Sequence, residues 1–174
     1  KCIKCEQISY LSDQVPKIED NFEQIISPET AYQIISILEG VVQRGTGRKL
    51  KHLNLNLAGK TGTTNNNTDT WFVGFTSKLV VGIYVGFDEP APLGRYETGG
   101  KTAMPIFKTF ILNSISKQDA TPFKVPDGIV MMVVDPVTGQ KVDFNSKNSI
   151  YESFKEKKIS EIDTENNYND LMFN

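Results

Sequence analysis

Residues 54–75 read NLNLAGKTGTTNNNTDTWFVGF, and the role given to Lys60 in this stretch decides the fold. If Gly59-Lys60-Thr61 closes a phosphate-binding loop, the chain is a nucleotide-binding α/β protein. Such a loop needs glycine at the leading position, because backbone N–H groups must wrap the phosphates, and it must open a helix. The leading position here is Asn54, residues 55–58 alternate like a strand, and Gly-Thr-Thr-Asn-Asn-Asn follows Thr61. That sequence starts no stable helix. The competing reading is an extended segment in which Lys60, Thr61, Gly62 and Thr63 line a cleft. A lysine supplies a compact cation for a substrate carboxylate, and threonines supply hydroxyl donors. A glycine lets a ligand backbone approach closely. The bland alternative is a surface strand with a solvated lysine.

Working outward, Leu53, Leu55 and Leu57 lead a strand over 53–63, and the three asparagines at 65–67 make a turn. Two further strands, 70–76 and 79–87, are joined by a tight turn at Ser77-Lys78, so three successive strands form an antiparallel sheet. Upstream, Ser27-Pro28-Glu29 combines a hydroxyl cap, a first-position proline and an acid in the first turn. Ala31, Ile34, Ile35, Leu38, Val41 and Val42 then predict a helix over 28–43 with one buried face, ended by Gly45-Thr46-Gly47. Downstream of a Pro/Gly-rich loop at 88–100, Ala103, Ile106, Phe107, Phe110 and Ile111 predict a second helix, with Pro105 tolerated in its first turn. The fold class is therefore α+β. A small hairpin is expected from 129–134, a turn at 136–139 and 141–144. From Asn145 the chain is charged and asparagine-rich, and a disordered or loosely attached tail is expected.

The 174 residues suffice for one domain with a proper core. With 19 Lys+Arg against 21 Asp+Glu, formal charge −2, no broad nucleic-acid footprint is supported. No apolar run approaches the ~18 residues of a membrane helix. Lys1 in place of methionine points to an excised piece. Cys2 and Cys5 lack a second ligand pair, and the single His52 cannot supply one. A local disulfide or an incidental pair is favoured over a metal or redox role.

Lys-Thr-Gly belongs to the motif set of serine β-lactamases and penicillin-binding proteins. The surroundings, SPETAYQIISILEGVVQRGTGRKL, LAGKTGTTNNNTDTWFVGFTSKLVVGIYVGFDEPAPLG and ETGGKTAMPIFKTFI, resemble the C-terminal half of the transpeptidase domain of class A penicillin-binding proteins, most like the 1A type. The similarity runs over residues 25–112, and PFKVPDGIVMMVVDPVTGQ is similar to the segment that succeeds the domain in that family. The resemblance implies a division into 1–117, the end of the transpeptidase domain, and 118–174, an extension with the hairpin and tail. It implies a serine D,D-transpeptidase that cross-links peptidoglycan stem peptides, works on lipid II-derived glycan, is acylated by β-lactams and needs no metal or organic cofactor. The intact protein would be membrane-anchored, facing outward, with a glycosyltransferase domain upstream.

On that resemblance Lys60, Thr61, Gly62 and Thr63 bind substrate, with Lys60 and Thr63 also in catalytic roles, while Asp69, Trp71 and Phe72 are architectural. The family's Ser-x-x-Lys nucleophile and Ser-x-Asn motif precede Lys-Thr-Gly. Here the matches, Ser114-Ile115-Ser116-Lys117 and Ser146-Lys147-Asn148, come after it. Ser114 would end its helix, where the dipole opposes a developing alkoxide, so both matches are read as decoys and the nucleophile as missing. The rivals are a non-catalytic β-lactam sensor, a β-lactamase sharing the strand, and a peptide-binding or structural module with an exposed strand edge.

Overall fold

The computed structural model describes residues 23–116 and 120–156. Cys2, Cys5, Lys117 and the tail beyond 156 lie outside them. Helix α1 (Pro28–Gln43) starts as its sequence dictates: Pro28 takes the first turn and the Ser27 hydroxyl accepts a hydrogen bond from the Thr30 amide at 3.3 Å. Strands β1 (Ala58–Thr63), β2 (Asp69–Phe75) and β3 (Val80–Gly86) form an antiparallel sheet in the order β1-β2-β3, with β1 at an edge. Helix α2 (Ala103–Ser114) comes next, and Pro105 falls in its first turn. Strands β4 (Ile129–Val134) and β5 (Ile150–Lys155) make a separate antiparallel pair.

One face of the three-stranded sheet carries the core. Thr70 and Phe72 are fully buried, and Phe72 meets Phe107 of α2 edge-on with ring centroids 4.8 Å apart. Val42, Leu50, Leu57, Ala103, Met104 and Ile111 complete the cluster. Gly74 sits beneath Phe107 for want of space, since a Cβ there would lie 2.6 Å from the ring. Burial at this scale, about 1.5–3 kcal/mol for each large apolar side chain, is what holds α2 to the sheet.

Three expectations need correction. The stretch 53–57 is not strand: Arg48–Leu53 is a 3-10 helix and Asn54 takes a left-handed conformation at φ 53°. The leucines alternate because Leu57 enters the core while Leu53, at the end of the 3-10 helix, and Leu55, in the irregular segment after it, pack against it; alternation reported burial rather than extension. The expected apolar faces are also shifted. Ile34 on α1, and Ile106 and Phe110 on α2, stay roughly half exposed, while Tyr32 and Met104 are buried instead. Lastly, the long partner of β4 is β5, inside the stretch expected to be a tail, and the expected hairpin with 141–144 is reduced to a short pairing around the turn at 135–139. Lys141 bridges Val134, the Val142 amide donates to the Val133 carbonyl at 3.0 Å and the Asp135 amide to the Gln140 carbonyl at 2.9 Å. β5 is held because it docks on α1: Gln33 Nε2 donates to the Ser153 carbonyl at 3.1 Å, Lys155 Nζ to Thr30 Oγ1 at 2.8 Å, and Arg44 pairs with Glu152.

Candidate active site

The register of β1 against β2 sorts the Lys-Thr-Gly-Thr side chains between two faces, because residues directly opposite share a face. Thr61 lies opposite Phe72 and Thr63 opposite Thr70, on the core side. Lys60 lies opposite Val73 and Gly62 opposite Trp71, on the other side. There Trp71, Val73 and Tyr84 are 44%, 41% and 49% exposed. The lower end of that face is closed by residues 120–123. Phe123 meets Phe75 at 5.6 Å, and Asn56 Nδ2 donates to the Ala120 carbonyl at 2.8 Å. Among the described residues nothing closes the upper end, with Lys60, Gly62 and Trp71.

The polar side chains of the strand have separate partners. Lys60 is exposed, its ammonium donating to the Thr61 carbonyl at 3.0 Å. The Thr61 and Thr46 hydroxyls are 3.0 Å apart, so the turn after α1 braces the strand. Thr63 Oγ1 accepts from the Gly99 amide at 3.1 Å. Among the described residues no strand pairs with the outer side of β1, an edge of the kind that takes up an extended ligand.

Asp69 closes the far end of β1. Its carboxylate accepts the Tyr84 hydroxyl at 2.7 Å and the Thr68 and Thr64 hydroxyls at 3.1 and 3.3 Å. The Tyr84 bond, ahead of the two threonines, holds the Asp69 carboxyl below its ordinary value and pushes the Tyr84 phenol up. Tyr84 in turn lies against Trp71, centroids 4.9 Å apart. The pair fixes the indole beside Gly62.

A profile of the penicillin binding protein transpeptidase domain matches residues 7–112. The chain belongs to the penicillin-binding protein transpeptidase family. It is 42% identical over 159 residues to penicillin-binding protein 1A of Rickettsia bellii, covering 88% of this chain and 20% of that protein. To penicillin-binding protein 1A of Pseudomonas aeruginosa it is 42% identical over 134 residues, 76% of this chain and 16% of that protein. It superimposes on the crystal structure of penicillin-binding protein 1A from Haemophilus influenzae with a TM-score of 0.64 at 33% identity, over 74% of this chain and 20% of that one. The chain thus corresponds to the C-terminal part of a class A, 1A-type transpeptidase region and spans about a fifth of the length of the relatives it matches.

The transpeptidase segment brings Lys60, Thr61, Gly62 and Thr63 together at one sheet edge. It does not bring the two serine motifs there: Ser114 is the last residue of α2, and Ser146 sits in the connection between β4 and β5. Two contributors to the edge, Thr46 and Gly99, were given no role by sequence reasoning. Their signal was present only as glycine-rich stretches, Gly45-Thr46-Gly47, read as the end of the first helix, and Thr98-Gly99-Gly100, read as part of a loop and the approach to the second.

Proposed function

We propose that this chain is one wall of the active site of a serine D,D-transpeptidase that cross-links peptidoglycan stem peptides and is acylated by β-lactams. The rest of the domain, the nucleophile and a glycosyltransferase domain acting on lipid II-derived glycan lie upstream in a longer, membrane-anchored protein facing the cell exterior. Residues 1–117 end the transpeptidase domain and 118–174 form an extension. The acyl-donor peptide lies along the edge of β1. Lys60 attracts its carboxylate and stabilises charge beside the attacking serine. Gly62 leaves room for its backbone, and the Thr61 and Thr63 hydroxyls donate to it, with the amide at Thr63 serving the oxyanion. The reaction divides into a serine ester and its attack by an amine acceptor.

What carries this reading is the open upper face, where an exposed lysine, a bare glycine and a fixed indole meet on a free strand edge. Coulomb attraction decides whether such a wall acts alone. A lysine–carboxylate pair at 4 Å is worth about 1 kcal/mol in water but about 4 kcal/mol in a partly enclosed site. Lys60 is exposed in this chain, so strong binding waits for the upstream half to cover the face.

Fluorescent penicillin tests the reading. The longer protein is expected to be labelled covalently, Lys60→Ala to lower its acylation rate at least about 100-fold, and the present chain to take no label. Labelling of the present chain at Ser114 would overturn the assignment. Acylation without any cross-linked product would mark a sensor instead.

A further inference from the structure

Between β3 and α2 the chain crosses the end of β1 that carries Thr63, and residues 97–102 make this crossing rigid. The Thr98 carbonyl accepts from the Lys101 and Thr102 amides at 2.9 and 2.8 Å, and the Gly99 carbonyl from the amide of buried Met104 at 2.8 Å. Glu97 ties the segment to itself: one oxygen accepts the Thr102 hydroxyl at 2.5 Å and the other pairs with Lys101 at 2.9 Å. These two partners, Thr102 first, hold its carboxyl below its ordinary value, so the tie stays ionised through the neutral range.

Gly99 rides directly on the strand pair. A Cβ there would lie 2.2 Å from the Trp71 carbonyl oxygen, 2.5 Å from that of Gly62 and 3.1 Å from the Gly62 nitrogen. Glycine is required for space. From that seat the Gly99 amide donates to Thr63 Oγ1 at 3.1 Å. A threonine hydroxyl has two acceptor sites and one proton. Gly99 uses an acceptor site only, which limits the rotation of the O–H and strengthens it as a donor.

We propose that residues 97–102 are a positioning strap for Thr63, with Gly99 as the contact and Glu97 and Thr102 as its anchor, presetting the hydroxyl to donate to the bound acyl donor. The proposal rests on the reading of β1 as the acyl-donor strand. The strap touches no substrate; it acts through Thr63. It also couples that hydroxyl to α2, because the strap runs into the first turn of the helix and its buried Met104.

The test is a cycle of variants in the longer protein, read as the second-order rate of acylation by a fluorescent penicillin. Thr102→Val is expected to slow acylation about 5-fold, as for loss of one hydrogen bond, and Thr102→Ser to restore it. In a Thr63→Val background, Thr102→Val should cause no further loss, since the hydroxyl it positions is gone. An equal loss in both backgrounds, or none in either, overturns the strap while leaving the site reading standing. A Thr63→Val protein that acylates at the full rate overturns the site reading itself.

Discussion

Thr70 is fully buried opposite Thr63, and among the described residues its hydroxyl has no partner. An unpaired buried hydroxyl is a cost, so Thr70→Val is expected to raise stability by about 1 kcal/mol, seen as a higher midpoint in urea with unchanged slope. Gly74 has the opposite prospect. An alanine methyl would strike Phe107 and Phe72, so Gly74→Ala should lower stability by about 1–3 kcal/mol, as overpacking does. Asp69 yields a pH signature. Its carboxyl is depressed chiefly by Tyr84, so the contribution of this bond is complete above the ordinary carboxylate range and is lost as pH falls through the lowered value. Tyr84→Phe is expected to destabilise at neutral pH, with the gap to the parent closing toward acid pH and the Asp69 titration moving up by NMR. None of these partnerships was legible in the sequence. Asp69 and Tyr84 are fifteen positions apart, and only the β2–β3 register brings them within reach.

At the scale of elements, the helices were the most legible because their signals are local. Ser27 caps α1 as its sequence requires, and Ser27→Ala should cost about 1 kcal/mol in thermal unfolding. The strands β2 and β3 were legible for the same reason: short runs rich in β-branched and aromatic residues joined by a tight turn at Ser77-Lys78. The approach to β1 was not. Asn54 bends the chain, and leucine alternation cannot tell a strand from an irregular segment whose every second residue meets the core. β5 was missed because Ile150–Lys155 has weak periodicity of its own. Its support comes from α1, more than a hundred residues earlier, through Gln33, Thr30 and Arg44. Helix faces were misjudged by a similar cause: which stripe is buried depends on what stands opposite, and Ile34, Ile106 and Phe110 face no described neighbour that covers them.

For the whole molecule, the open sheet face is the feature that predicts behaviour. Trp71, Val73, Val80 and Tyr84 form an exposed apolar surface on one side of β1–β3. Patches of this kind promote association. The isolated chain is expected to self-associate with rising concentration in sedimentation, and Val73→Lys with Val80→Lys to reduce it; unchanged association would place the contact elsewhere. The sequence by itself determined that Lys60 opens no phosphate loop, that two helices, the first capped by Ser27, flank a three-stranded antiparallel meander, and which family the chain belongs to. All of these rest on short-range patterns: periodicity, caps, and residues adjacent along the chain. Tertiary structure alone decided which face receives Lys60 and Gly62, that Thr46 and Gly99 brace the two hydroxyls from opposite elements, and that β5 exists. Those outcomes depend on register and docking between segments far apart in the chain, where a shift of one residue would exchange the faces.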